Sequence, residues 1–165
     1  MKFRKLLSPP KKLNLPGWPH LIDYEKVRQS FGSPLFVLAF GSAIRDAPCV
    51  PHKKRFLLWH YVTLEKRWAN DVDLLIVSDN DKETAVERVD GVPCWVQSGG
   101  SYSFGWVEHE FTGKLHLLMT NLNALTAAVK ERDEDALRIL GSSMVIEGDA
   151  NAAEELIAKA KGLAA

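Results

Sequence analysis

The stretch Leu35-Phe36-Val37-Leu38-Ala39-Phe40, followed directly by Gly41-Ser42, decides the fold more than any other part of the chain. A continuous apolar run of this length, bounded by turn residues, predicts a central strand that is buried on both faces. A second run, Leu74-Leu75-Ile76-Val77, follows Asp71-Val72-Asp73 and predicts another such strand. The core of the protein is therefore expected to form around these two strands.

The segments around these strands supply helices and further strands. Apolar periodicity and capping residues predict helices over 23–31, 53–69 and 79–89, and C-terminal helices beginning at Asn121, Asp133 and Asn151. Ser42–Asp46 is expected to open a short helix. Further strands are predicted at 92–96 and 144–146, and a hairpin over 106–119 follows a Gly- and Ser-rich loop at 97–105. The predicted fold class is α+β, close to α/β, with a mixed β-sheet of about five strands and flanking helices.

The N-terminal segment differs from the rest in composition. Residues 1–20 contain Pro9, Pro10, Pro16 and Pro19 and several Lys and Arg residues, which predicts an extended basic lead-in. Trp18 is expected to fold back against the body as an anchor. Trp59, Trp68, Trp95 and Trp106 are expected to pack in the core rather than to stack on bases. Residues 21–165 are expected to form one domain, with an insertion at about 46–69.

Composition narrows the class of protein. The 21 basic and 21 acidic residues balance, and no apolar run approaches the roughly 20 residues that span a bilayer. The basic start lacks the apolar stretch of a secretory signal. Cys49 and Cys94 have no zinc-ligand spacing and are expected to be free thiols. These features predict a cytoplasmic protein with no membrane partner.

Asp71 and Asp73 are the leading candidates for chemistry. The period of two along a strand would put both carboxylates on one face, with Cα atoms about 6.6 Å apart. Such a pair can bind hard cations, and two such ions can stabilise an in-line phosphoryl displacement. Gly41 would let a phosphate approach the backbone, and Ser42 would add a hydroxyl donor. Either feature alone also occurs at ordinary strand ends, so the argument depends on their combination.

These two motifs resemble those of the DNA polymerase β-like nucleotidyltransferase superfamily. The matching residues are Leu38-Ala39-Phe40-Gly41-Ser42-Ala43 and Asn70-Asp71-Val72-Asp73-Leu74-Leu75-Ile76-Val77, and a weaker similarity extends over about 33–161. The resemblance implies that Gly41 and Ser42 hold a nucleoside triphosphate while Asp71 and Asp73 bind Mg²⁺, or Mn²⁺ in its place. Arg45 is a further candidate for phosphate contact.

The sequence departs from the family pattern in two ways. The gap between Ser42 and Asp71 is longer than usual, which implies the insertion. Family members also place a third carboxylate on a later strand, where this chain has His116 in Leu115-His116-Leu117. Magnesium prefers oxygen ligands, so Glu108 or Glu110 on the neighbouring strand is expected to lend the missing oxygen if His116 does not replace it.

Three functions follow as expectations. The first is transfer of a nucleoside monophosphate from a triphosphate to a small-molecule hydroxyl, a protein side chain or an RNA end, with a partner protein as one source of acceptor recognition. The second is a catalytically impaired nucleotide-binding or regulatory module with the same fold. The third is an RNA-binding protein that uses its basic N-terminal arm, with an incidental Asp-x-Asp motif.

Overall fold

The computed structural model describes residues 5–29, 31, 33–79, 103–109 and 113–165. The fold is mixed α+β, as predicted. Its strands are β1 (Leu6–Leu7), β2 (Lys12–Leu13), β3 (Ile22–Asp23), β4 (Phe36–Phe40), β5 (Cys49–Phe56), β6 (Trp59–Lys66), β7 (Val72–Ser78), β8 (Ser103–His109), β9 (Gly113–Asn121) and β10 (Ser143–Asp149). Its helices are α1 (Tyr24–Arg28), α2 (Leu122–Lys130), α3 (Glu134–Gly141) and α4 (Ala150–Ala164).

The main sheet has the order β1-β10-β4-β7-β9-β8, in which β1 is a two-residue edge strand beside five longer ones. Strands β7 and β9 run parallel, and the other neighbours are antiparallel. The predicted hairpin at 106–119 is confirmed, because β8 pairs with β9. Strand β8 also begins at Ser103, inside the predicted loop. The predictions for 79–89 and 92–96 lie, apart from Asp79, outside the described residues.

The two strands that the sequence singled out lie at the centre of the sheet, side by side. Strand β4 pairs with β7, and alternate residues of each point to opposite faces. Val37 and Leu74 belong to one apolar cluster, and Leu38 and Leu75 to the other. The second cluster includes residues of α2, α3 and α4, so these helices cover one face. Burial on both faces explains why the two runs are continuously apolar.

The lead-in packs on the other face of the sheet. Leu13, Leu15 and Trp18 are buried with α1 against β4, β7 and β9, which confirms Trp18 as an anchor. Two of the basic side chains of the lead-in form exposed ion pairs within the chain, Lys5 with Glu154 at 3.7 Å and Lys12 with Asp23 at 3.1 Å.

The C-terminal helices begin close to the predicted positions. Asn121 accepts a hydrogen bond from the backbone N–H of Ala124, and Asp133 accepts one from Ala136. These are the side-chain caps that the sequence predicted. The third cap is wrong by two residues, because Asp149 rather than Asn151 caps α4. None of the helices in the described ranges is long and apolar enough to cross a bilayer.

The helix predicted over 53–69 is wrong. Strands β5 and β6 form a separate two-stranded antiparallel hairpin joined by Leu57-Leu58, with Phe56 opposite Trp59. Aromatic and β-branched residues favour strands, and the apolar residues of this segment have no core to face. Trp59 is 77% exposed and Trp68 37% exposed, so the prediction that these two pack in the core is also wrong. The same prediction for Trp95 and for the side chain of Trp106 lies outside what the structure describes.

One buried ion pair joins the two ends of the domain. The Nε atom of Arg28 in α1 lies 2.7 Å and 2.8 Å from the two carboxylate oxygens of Glu147 in β10. Glu147 is 2% exposed in the folded chain, while the side chain of Arg28 is 31% exposed, so the carboxylate is the buried member of the pair. Removing one member of a buried pair leaves an uncompensated charge, which is strongly destabilising.

We expect Arg28→Ala to lower the free energy of unfolding by about 3 kcal/mol. Urea denaturation followed by circular dichroism measures this change. The matched control is Arg138→Ala, which removes an arginine from an exposed pair with Asp135 and should change stability little. Equal losses from the two variants would show that the Arg28–Glu147 pair has no special role.

Candidate active site

The site begins where β4 ends. A single 3₁₀ turn, Gly41–Ile44, follows Phe40, in place of the short helix predicted from Ser42. Gly41 has a φ of +80°, a left-handed conformation that side chains other than glycine rarely adopt. Ser42 and Arg45 are both exposed in or just after this turn. The glycine that the sequence singled out is therefore required by the backbone itself.

Asp73 lies beside this turn because of strand register. It is opposite Phe40 in the antiparallel β4–β7 pair and opposite His116 in the parallel β7–β9 pair. Its neighbours Val72 and Leu74 point into the cluster on the other face. The side chain of Asp73 therefore lies on the face covered by α2, α3 and α4, at the end of the strands.

The carboxylate of Asp73 is held between two partners. His116 Nδ1 lies 2.9 Å from Asp73 Oδ1, and the two side chains are 16% and 19% exposed. A Cβ atom placed on Gly41 would lie only 2.8 Å from Asp73 Oδ2. An alanine here would have to adopt this positive φ and would also force Asp73 Oδ2 to shift, so glycine is the residue that fits both the turn and the carboxylate. Gly41, Asp73 and His116, which are far apart in sequence, form one cluster.

The hydrogen bond assigns the proton on the imidazole ring. An ionised carboxylate is an acceptor only, so Nδ1 must carry the hydrogen in the bond to Asp73. In the neutral ring the lone pair then belongs to Nε2. His116 can therefore orient Asp73 through Nδ1.

The remaining acidic residues predicted for the site are Asp71, Glu108 and Glu110. Asp71 is partly exposed and immediately precedes β7, two residues from Asp73. The backbone of Glu108 pairs with that of Lys114 in the β8–β9 hairpin. Glu110 lies outside the described residues. The structure therefore brings His116 to Asp73, and the predicted contribution of Glu108 or Glu110 stays a prediction.

Sequence analysis missed Gly17, which connects both halves of the site. Its N–H donates to the carbonyl oxygen of Ala43 at 2.8 Å, and its carbonyl accepts from Ala69 N–H at 2.9 Å. A Cβ atom here would lie 2.4 Å from the carbonyl oxygens of both Ser42 and Arg45. The sequence feature that could have identified it is a single glycine within a proline-rich segment, because a close approach of two backbones is one reason for a glycine at such a position.

The donor set suits a hard cation that is shared with a ligand. Asp71 and Asp73 offer carboxylate oxygens, which Mg²⁺ prefers. Across the described ranges, no group of three or more His, Cys, Asp or Glu side chains is arranged to hold a metal ion. Magnesium is commonly bound by one or two carboxylates together with substrate phosphates. Asp73, with Asp71 two residues before it in the chain, is the candidate for that type of site.

Comparison of the chain with protein-family models, with curated proteins and with solved structures gives no match.

We expect Gly41→Ala to destabilise the fold by about 1–3 kcal/mol, since it forces a left-handed alanine against Asp73. The control is Gly141→Ala in α3, where an added Cβ has no atom within 4 Å and should change stability little or raise it. Urea denaturation of both variants measures the difference. If Gly41→Ala were as stable as the native chain, the close approach of the turn to Asp73 would be wrong.

Proposed function

We propose that this chain is a metal-dependent nucleotidyltransferase of the DNA polymerase β-like superfamily, with the fold of that superfamily. Its reaction transfers a nucleoside monophosphate from a triphosphate to an acceptor hydroxyl and releases pyrophosphate. The acceptor is a small-molecule hydroxyl, a protein side chain or an RNA end. Nucleoside triphosphate and Mg²⁺, or Mn²⁺, are its substrate and cofactor.

The observation that carries the proposal is the apposition of Gly41 and Asp73. The sequence motifs require a phosphate-binding turn and a carboxylate pair to share one pocket, although Asp73 lies 32 positions after Gly41 in the chain (73 − 41 = 32). The 2.8 Å that would separate a Cβ on Gly41 from Asp73 Oδ2 supports this arrangement. An incidental Asp-x-Asp motif would have no reason to face a glycine with positive φ.

The residues of the site have complementary tasks in this reaction. Backbone N–H groups of the Gly41–Ile44 turn and the Ser42 hydroxyl bind phosphate oxygens, and exposed Arg45 is available to neutralise their charge. Asp71 and Asp73 would hold Mg²⁺, which supplies charge stabilisation for the transferring phosphoryl group. The oxygen of the acceptor hydroxyl forms a bond to the α-phosphorus and gives its proton to solvent water, while the bond between the α-phosphorus and the leaving pyrophosphate breaks.

His116 acts here as a positioning residue. Its bond to Asp73 Oδ1 fixes the carboxylate so that Oδ2 faces the turn. Partial burial of both side chains strengthens this hydrogen bond relative to one in water. The geometry is therefore set before a nucleotide binds, which favours catalysis by preorganisation.

Incubation with labelled triphosphates and Mg²⁺ or Mn²⁺ tests the proposal through pyrophosphate release. We expect Asp73→Asn and Asp71→Asn each to lower kcat/KM by a factor of about 100 or more, because each removes charge that stabilises the transition state. The control is Asp135→Asn, an acid on the exposed side of α3 whose side chain is 73% exposed. A rate that all three variants share with the native chain would rule out this site.

A second candidate is a nucleotide-binding or regulatory module without catalysis. The observation that favours it is His116 itself, which faces Asp73 where the superfamily pattern has a third carboxylate. Such a module would bind nucleotide at the same turn but turn it over slowly or not at all. Partner proteins would then respond to the bound nucleotide.

His116→Asp and His116→Asn separate the two candidates. If His116 positions Asp73 in an active enzyme, Asn retains part of the activity by donating the same hydrogen bond, whereas Asp repels Asp73 and lowers it. If catalysis was lost with the third acid, His116→Asp instead raises Mg²⁺-dependent turnover. Pyrophosphate release measures both variants, and thermal shifts with and without Mg²⁺ show whether each one folds.

A further inference from the structure

The β5–β6 hairpin carries a concentration of exposed apolar surface that the proposed reaction does not use. Of the eleven large hydrophobic side chains that are exposed in the described residues, seven belong to it. The four residues at its tip are the most continuous group, with exposed fractions of 67% for Phe56, 76% for Leu57, 86% for Leu58 and 77% for Trp59. Apolar patches of this kind mark surfaces that bind something other than water.

The turn at the tip is chemically unusual. Two-residue hairpin turns favour Asn and Gly, because these residues tolerate positive φ. Here the turn is Leu57-Leu58, and Leu57 has a φ of +54°. The sequence thus accepts backbone strain to place two leucines, 76% and 86% exposed, at the tip of the hairpin. Strain of this kind is typical of functional positions.

Three consecutive cationic residues of β5 lie directly before the tip. Lys53, Lys54 and Arg55 precede Phe56, so the furthest of them lies three residues, or about 10 Å along the strand, behind the tip. Lys54 forms an ion pair with Glu65, and Lys53 and Arg55 lie on the opposite face of the ribbon. The hairpin therefore changes from apolar to cationic over the thickness of a lipid headgroup layer.

We propose that the β5–β6 hairpin inserts its tip, Phe56-Leu57-Leu58-Trp59, into the interface of a membrane rich in anionic lipids. The leucines and Phe56 enter the boundary of the acyl chains, Trp59 lies at the interface, and Lys53 and Arg55 contact anionic headgroups. This revises the expectation that no membrane takes part, which depended on the lack of a spanning segment. The proposal is independent of the transfer reaction.

Two other occupants fit the surface less well. A second copy of the hairpin would bring like charges together, since residues 49–66 hold four Lys and Arg residues against one Glu. Single-stranded RNA would match the cations and the aromatic rings of Phe56, Trp59 and Tyr61, which share one face. It would leave the two leucines of the turn without a role, because base stacking needs flat rings.

Flotation with lipid vesicles tests the proposal on the full chain. Native protein should bind vesicles that contain 30% phosphatidylserine in phosphatidylcholine, bind pure phosphatidylcholine weakly, and lose affinity as salt rises. We expect Leu58→Asp to reduce binding at least tenfold. Lys53→Gln combined with Arg55→Gln should reduce it about 30-fold, at about one kcal/mol for each cation and 1.4 kcal/mol for each factor of ten.

Two control variants make the same chemical changes elsewhere. Leu21→Asp alters a leucine that is 60% exposed near β3, and Lys159→Gln with Lys161→Gln removes two exposed cations from α4. Both should bind vesicles as the native chain does. Circular dichroism verifies that every variant is folded, as is expected for changes at exposed side chains.

Quenching of tryptophan fluorescence by brominated lipids locates the inserted residue. Native protein should be quenched, and Trp59→Phe should lose most of the quenching while still floating with vesicles.

The absence of vesicle binding would overturn the proposal, as would binding that Leu58→Asp leaves unchanged. Sedimentation equilibrium tests the second copy of the chain as the occupant, and titration with a 12-nucleotide RNA tests single-stranded RNA. If the native chain does not bind vesicles and Leu58→Asp abolishes dimerisation or RNA binding instead, the membrane proposal is overturned.

Discussion

The alignment of β4, β7 and β9 is the constraint on which the rest of the structure depends. Phe40, Asp73 and His116 lie opposite one another across three neighbouring strands. A slip of one residue in β7 would turn Asp73 to the other face and expose its apolar neighbours. Burial of both faces of β4 and β7 therefore fixes the position of the carboxylate, and the same apolar contacts that stabilise the fold also set the geometry of the site.

The lead-in reinforces this arrangement from the opposite face. Gly17 is hydrogen-bonded to the turn after β4 and to the segment before β7, so it ties together the two chain ends from which the hairpin emerges. Leu15 and Trp18 on either side are buried and keep Gly17 in place. A long excursion between the two motifs is tolerated because its ends are held by the core, and the excursion itself can serve a separate purpose.

The hairpin shows where pattern reasoning fails. Periodicity assigns secondary structure by assuming that apolar residues face a core. Residues 53–66 break that assumption, because Phe56, Leu58 and Trp59 face solvent. The apolar side chains fit helix and strand equally well, and only the pairing of β5 with β6 decides between them. The misplaced Trp59 follows from the same assumption, and its exposure is what makes the hairpin a candidate binding surface.

The sequence by itself determined the central strands, the capped helices α2 and α3, and the choice of Gly41, Asp73 and His116, because burial and capping depend on local patterns of residue type. Tertiary structure alone decided that Asp73 contacts His116 at 2.9 Å and faces Gly41, and that Gly17 supports the turn. These contacts join residues far apart in the chain. They depend on strand order and register, which result from packing the whole core and not from any single segment.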